Sequence, residues 1–365
     1  MAYERPNITA LSAYVSGEQP ADGRTIKLNT NESPYPPAPK VLEAIATITG
    51  ESLRRYPPPT AAGFRAAAAQ VHGLDASQVF ATNAGDELLR LVLTVFTDPD
   101  KGGRGIAITE PTYSLYRVLA GIHGASVTAT PLDEEFSIPS TWATTLAGSD
   151  VGVAFVVNPH APSGRLESLD TLRGIAEALR GRGVLLIDEA YVDFAEQSAL
   201  PLLTPDSGLD NVLILRTLSK GYGLAGLRFG YGLGHPDLIA SLDKARDSFN
   251  TDVIAQAAAE AAIRDQADAR EKWSLIVRDR ALLRDALRAR GFVVPETQTN
   301  FVLATVPPAG PDARSIYEDL KAAGILVRYF DQDRLRDKLR ITVGTPEQNN
   351  TLLAALDRIL KTEKV

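Results

Sequence analysis

The 365-residue chain contains no cysteine, and that absence removes disulfides, thiolate metal sites and a thiol nucleophile from consideration. Histidine is nearly as scarce. The four, His72, His123, His160 and His235, never fall within helical or turn spacing of one another, which argues against a zinc site. Also lacking is any run of 18 apolar residues, so no segment reads as a membrane-spanning helix. Lys and Arg number 38 against 45 Asp and Glu, a formal charge of −7, and they form no basic run with interleaved aromatics. An acidic chain of this kind is repelled by a polyphosphate backbone, and nucleic acid is not an expected partner. The opening MAYERPNITALSAYVSG has no uninterrupted apolar core and carries Glu4 and Arg5 early, unlike a signal peptide, so a cytoplasmic location is expected.

At this length one hydrophobic core is rarely enough, and two domains are expected. Residues 1–35, polar and proline-rich up to NTNESPYPPAPK, read as an extended arm rather than a packed element. Residues 36–250 alternate amphipathic helices with the apolar runs GIAITE (105–110), ASVTAT (125–130), VGVAFVVN (151–158), GVLLIDEA (183–190) and NVLILRT (211–217). The last three are continuously apolar, as strands buried on both faces must be. Between two of them SLDTLRGIAEALRGRG carries Leu169, Leu172, Ile175, Ala176 and Leu179 at helical spacing, so the unit is βαβ and the sheet mainly parallel. Residues 251–365 begin with a helix through TDVIAQAAAEAAIRDQADAREKW and a second one to Arg290, then give FVVPETQTNFVLATV, GILVRYF, LRITVGT and a last helix. They predict a smaller α+β domain, joined by part of the N-terminal arm.

Ligands of open α/β sheets sit beyond the carboxyl ends of the strands. The residues standing there are Asn158, Asp188, and the group Thr217, Ser219 and Lys220, separated by 30 and 32 residues, about one βα repeat each. An aspartate ending an apolar strand is costly unless a cation or donor meets it. A pyridinium N–H would meet it, and Lys220 could bond to the aldehyde of pyridoxal phosphate and later carry a proton. Asn158 and Tyr191 could bind the ring's phenolic oxygen, while Thr217, Ser219 and Arg228 could hold the phosphate. NAGDELLRLVLTVF adds Gly85 and Asp86 at the start of a helix apolar nearly all round, a second anion site; Asp86 could equally be a plain N-cap. A rival reading uses Gly221, Gly223 and Gly226, which satisfy the dinucleotide pattern G-x-G-x-x-G. That fingerprint belongs in the first βα turn and opens a helix, whereas here LRFGYGLGHPDL follows, rich in glycine and aromatics. The glycines are instead expected to let the loop pass close to cofactor and to a neighbouring helix.

Asn158-Pro159, DEAY (188–191) and TLSKGYGLAGLRFGY (217–231) together resemble the fold-type-I pyridoxal-phosphate aminotransferases. LNTNESPYP (28–36), RYPPP (55–59), PTYSLY (111–116), GILVR (324–328) and LRITVGT (339–345) resemble the histidinol-phosphate aminotransferase group within them. The resemblance spans nearly the whole chain. It implies that Lys220 bonds the cofactor, that Asp188 partners the ring nitrogen, and that Asn158 and Tyr191 bind the phenolate. Tyr113 would stack on the ring, Gly85, Asp86, Thr217, Ser219 and Arg228 would surround the phosphate, and Tyr56 would reach it from the other subunit of a homodimer. Arg340 would receive an amino acid's α-carboxylate, Arg328 and Tyr14 the phosphate end of the substrate, and Asn31 and Glu32 would line the pocket. The implied reaction passes an amino group from L-histidinol phosphate to 2-oxoglutarate, with no metal. An aromatic amino acid aminotransferase and a threonine-phosphate decarboxylase share these motifs and remain alternatives. NPHAPSG departs from the usual loop at His160 and Ala161, and His160 is expected to be an exposed turn residue.

Overall fold

The continuously apolar runs lie side by side at the centre of the larger of two packed units. The structure, a computed structural model, describes residues 3–12, 17–20, 23–99 and 103–362. Seven strands form the main sheet: β1 Val79–Asn83, β2 Gly105–Glu110, β3 Val127–Pro131, β4 Val151–Val157, β5 Val184–Asp188, β6 Val212–Thr217 and β7 Phe229–Gly234. Their spatial order is β1-β7-β6-β5-β4-β2-β3, and only β7 runs against the rest. Alternation along the strands sends Ala154, Val156, Leu185, Ile187 and Ile214 into one layer and Val153, Phe155, Leu186, Leu213 and Leu215 into the other. Helices cover both faces. On the second face lie α1 (Ala84–Phe96) and α2 (Leu115–His123); on the first lie α3 (Leu169–Leu179) and α4 (Val253–Arg264).

Strand β7 was not among the expected runs, and its composition explains both why it hides and why it fits. Gly230, Gly232 and Gly234 alternate along FGYGLG, leaving one face nearly flat. A Cβ on Gly230 would lie 2.7 Å from the backbone of Ala84 and Gly85, and one on Gly232 would lie 3.1 Å from Leu88. The glycine stripe is where α1 rests.

The second unit has its own core, built from Ile276, Leu283 and Leu287 of α5 (Gln266–Arg288) against Phe301, Val302, Leu339, Ile341 and the C-terminal helix Pro346–Thr362. Its antiparallel sheet orders β9 (Arg328–Tyr329), β10 (Lys338–Thr342) and β8 (Phe301–Thr305). The helix expected to run unbroken through residue 273 instead stops at Arg264, where Asp265 leaves helical geometry before α5 begins. The N-terminal segment, expected as an extended arm rather than a packed element, is packed over its last residues. Ile26–Lys27 pair in parallel with Ile325–Leu326, and Leu28, Asn29 and Asn31 are buried, because this stretch fills the seam between the two units. Among the described residues, no helix is long and apolar enough to cross a membrane.

Candidate active site

A cavity of about 500 Å³ opens along that seam. The large unit supplies Asp188 at the end of β5 and Tyr191 beyond it, Thr217 at the end of β6 and Ser219 and Lys220 beyond it, Gly85 and Asp86 at the start of α1, and Tyr113 and Arg228. The small unit supplies Arg328 and Arg340, and the N-terminal segment supplies Asn31 and Glu32. Sequence reasoning had thus gathered residues from three parts of the chain into one place. Asn158 stands just behind the wall, buried, with Oδ1 accepting the Glu167 N–H at 2.8 Å. Tyr56 does not reach the cavity; it is 81% exposed and stacked on Phe249 at 4.4 Å. Tyr14 lies outside the described residues.

Asp188 is the deepest charge. Its Oδ2 accepts the Tyr116 hydroxyl at 2.7 Å and its Oδ1 accepts the Ala190 N–H at 3.0 Å. Burial nevertheless raises its pKa to about 6, against the two hydrogen bonds that pull it down. A carboxylate so placed calls for a cationic partner. Tyr116, which sequence reasoning passed over, sits three residues after Tyr113, one turn into the same helix start, stacks on Phe155 and meets Tyr113 edge to face. The i,i+3 spacing within PTYSLY was the available signal.

Lys220 Nζ donates to the Thr30 carbonyl at 2.8 Å. Burial lowers its pKa to about 8, and Arg340 and Arg228 add to the effect while Glu32 opposes it. A free amine is the nucleophilic form. At the other end Asp86 and Arg228 form an ion pair at 3.2 Å, half exposed. The Ser219 N–H donates to Thr217 Oγ1 at 3.1 Å. Helix α1 points its first N–H groups at this end; its N-cap is Asn83 rather than Asp86, which sits a turn further in. Acceptors of negative charge and a negative acceptor of positive charge thus share one cleft.

Arg328 and Arg340 face each other in register across β9 and β10. Both guanidinium groups lie over the Phe330 ring, at 5.2 and 5.4 Å, and Arg340 Nη2 donates to the Asn29 carbonyl at 2.9 Å. They are not stray surface charges. Asn31 stitches the seam: its Nδ2 donates to the Tyr191 hydroxyl at 2.9 Å, its Oδ1 accepts from Thr342, and its carbonyl accepts from Asn300. Asn31, Ala84 and Arg228 all line the cavity in left-handed backbone geometry, with φ of 58°, 64° and 55°. Strain of this kind costs on the order of 1 kcal/mol per residue and persists where surrounding contacts fix it.

His160 contradicts its expectation. It is 4% exposed, and its ring is held on both sides, Nδ1 by Ser163 Oγ at 2.7 Å and Nε2 by the Pro111 carbonyl at 2.9 Å. Burial lowers its pKa to about 4, so the ring is neutral. A carbonyl only accepts, so Nε2 carries the proton and Nδ1 accepts from serine. The glycines of the lysine loop depart in part: Gly223 passes the Tyr35 and Pro37 backbone rather than a helix, whereas Gly226 lines the cavity.

A family model for aminotransferase class I and II matches residues 24–356. The chain is 45% identical over 360 residues to histidinol-phosphate aminotransferase 1 of Trichormus variabilis, covering 98% of this chain and 99% of that one. It is 42% identical to the histidinol-phosphate aminotransferase of a Marinomonas species, covering 96% and 97%. The crystal structure of the Sinorhizobium meliloti histidinol-phosphate aminotransferase in complex with pyridoxal-5'-phosphate superposes with a TM-score of 0.88, at 26% identity, covering 99% of this chain and 98% of that one.

Proposed function

The chain belongs to the aminotransferase class I and II family, and on that premise we propose that it uses pyridoxal 5'-phosphate to move the amino group of L-histidinol phosphate to 2-oxoglutarate. Its fold is the fold-type-I arrangement of a large, mainly parallel α/β unit and a smaller α+β unit. The observation that carries the reading is the placing of a buried Asp188 and a buried Lys220 in one cleft whose far end presents the start of α1, Thr217, Ser219 and Arg228.

The residues fit that cofactor. Asp188 would hold the proton of the ring nitrogen, Tyr191 and Asn158 would donate to its phenolic oxygen, and Tyr113 would cover its face. Gly85, Asp86, Thr217, Ser219 and Arg228 would enclose its phosphate. When bound, the cofactor supplies an aldehyde that takes up the amino group and a ring that accepts the electrons of the α-carbon. Lys220 Nζ, uncharged above about pH 8, takes the α-proton of the donor. Asn31 and Thr30 hold Tyr191 and Lys220 in place from the N-terminal segment.

Histidinol phosphate has no α-carboxylate, and its charge sits on a phosphate ester; 2-oxoglutarate brings carboxylates instead. Two arginines on adjacent strands can take either in turn, since a guanidinium binds both groups in a fork. Glu32, tied to Lys27, would border the donor, and Tyr14 would join Arg328. Residues 1–35 would act as the arm and 36–250 as the cofactor domain, to which helix α4 (Val253–Arg264) also belongs because it packs on the main sheet, so that the small domain of a cytoplasmic homodimer would begin after α4 rather than at residue 251. Support for the dimer comes from Tyr56, exposed with Leu42 and Leu53, and suited to reach a partner's cofactor phosphate.

Lys220→Ala should lower turnover by at least about a thousandfold. Mixing the loaded enzyme with histidinol phosphate, and separately with phenylalanine, without an oxo acid decides the donor. Rapid loss of the cofactor's visible absorption with histidinol phosphate is expected; loss with phenylalanine alone would make the enzyme an aromatic aminotransferase.

A further inference from the structure

Lysine carries a flexible four-carbon stem, so the position of Nζ depends on how the backbone beneath it is held. Lys220 lies in a loop past the end of β6, without helix or sheet hydrogen bonds of its own. Its neighbour Gly221 is held instead by two side chains. The Gly221 N–H donates to the carboxyl group of Asp193, and the Gly221 carbonyl accepts the Trp273 indole N–H at 2.7 Å. Only glycine permits the first contact, because a Cβ there would lie 2.1 Å from Asp193 Oδ2 and 2.6 Å from its Cγ.

The two holding residues come from different places. Asp193 belongs to the short turn Val192–Phe194 that follows Asp188 and Tyr191. Its carboxyl group sits beside Arg216, which already pairs with the buried Glu189 at 2.7 Å. Two acids therefore share one guanidinium, and burial pushes Asp193 up to about 7. Trp273 belongs to α5, packs against the cores of both units, and meets Tyr222 edge to face at 5.4 Å.

Resting on the assignment of Lys220 as the proton carrier, we propose that Asp193 and Trp273 are positioning residues that clamp the Gly221 peptide and so fix Lys220 Nζ in the cavity. The clamp links the lysine to the turn that carries its ring-binding neighbours and to the helix that joins the two units. Lys220 then moves with both.

The test compares Trp273→Phe, Asp193→Ala and Asp193→Asn in the full-length enzyme. Trp273→Phe keeps an aromatic ring and loses the N–H. Asp193→Ala leaves Arg216 paired with Glu189, and Asp193→Asn retains an oxygen that can accept the Gly221 N–H. Trp273→Phe and Asp193→Ala should lower kcat by tenfold or more with KM within about twofold, because misplacement near 1 Å costs about a hundredfold. A second readout needs no bound cofactor: the pH midpoint of Lys220 acylation, followed by mass spectrometry. Burial, Arg340, Arg228 and Lys27 hold that midpoint down and Glu32 holds it up, so a lysine released toward water should acylate with a midpoint roughly half a unit or more higher. Asp193→Asn should restore both. Unchanged acylation midpoints in Trp273→Phe and Asp193→Ala would overturn the clamp, whatever happens to kcat. Lys220→Ala with preserved turnover would instead overturn the assignment beneath it.

Discussion

Asp188 is held in the folded chain at a cost, and replacing it with asparagine should expose that cost. Burial keeps its proton bound up to about pH 6, whereas the unfolded chain releases it near 3.8. Through that window the folded state binds more protons than the unfolded one, so this group makes stability fall as pH rises, and the loss stays constant above about 6. Roughly two pH units at about 1.4 kcal/mol each give a full cost near 3 kcal/mol, of which about half has developed by pH 5. Asparagine cannot ionise. Its oxygen can still accept the Ala190 N–H, and its amide can donate to the Tyr116 hydroxyl, which reverses direction without losing the contact. Freed of cofactor, Asp188→Asn should therefore be more stable than the parent at pH 8 by up to about 3 kcal/mol, or roughly 5 °C in thermal midpoint for a chain of this size. The gap should narrow by about half at pH 5. With pyridoxal phosphate bound the order should invert, because the carboxylate then has its cationic partner and the amide does not, and turnover should drop by about 10² to 10³. Thermal denaturation from pH 5 to 8, with and without cofactor, reads all of this. A variant less stable than the parent at every pH, or a gap that does not change with pH, would refute the desolvated carboxylate and its role.

Arg340→Ala should raise KM for the 2-oxo acid tenfold to a hundredfold, the worth of about 1.5 to 3 kcal/mol for a charged hydrogen bond; steady-state kinetics at varied 2-oxoglutarate measures it, and a change under twofold would count against the arginine pair. His160 should stay neutral with Nε2 protonated from pH 5.5 to 8, since its pKa is pushed down to about 4; nitrogen NMR showing a titration in that range would contradict the two-sided hold. Gly223→Ala should destabilise by about 2 kcal/mol or more, because φ is 68° and the new methyl would lie 2.8 Å from the Tyr35 carbonyl; an unchanged denaturation midpoint would show that this approach does not constrain the loop.

The large sheet was readable where the sequence is most apolar. β4, β5 and β6 announce themselves because both faces are buried, and the residues at their ends mark the cleft for the same topological reason. β7 was hidden because its packing depends on missing side chains, and a strand of alternating glycines carries no hydrophobic signal. β1 is short, and Thr82 and Asn83 dilute its apolar residues. The seam contacts were hidden differently. Asn31 meets Tyr191 and Thr342 across 160 and 311 residues of sequence, and no local pattern encodes such pairing. His160 looked like an exposed turn residue because loops normally lie at the surface; its burial follows from partners at 111 and 136 that only folding brings near.

Burial moves the two central groups toward each other. Lys220 is drawn down to about 8 and Asp188 up to about 6, since the cavity penalises charge of either sign. Near neutral pH both sit within about a unit or two of giving up their charge, which neither an exposed lysine nor an exposed aspartate would do. A ligand with a cationic ring and an anionic phosphate, held as proposed, would reverse this at each end: Asp188 would gain the partner that keeps it ionised, and the phosphate would meet donors from α1 and Arg228. Lys220 would gain no such partner from the ring, and Arg340 and Arg228 continue to oppose its charge against the single favourable carboxylate of Glu32. The cavity so loaded would hold the acid as an anion and still favour the lysine as a free amine. That division of roles is what proton removal by Lys220 requires.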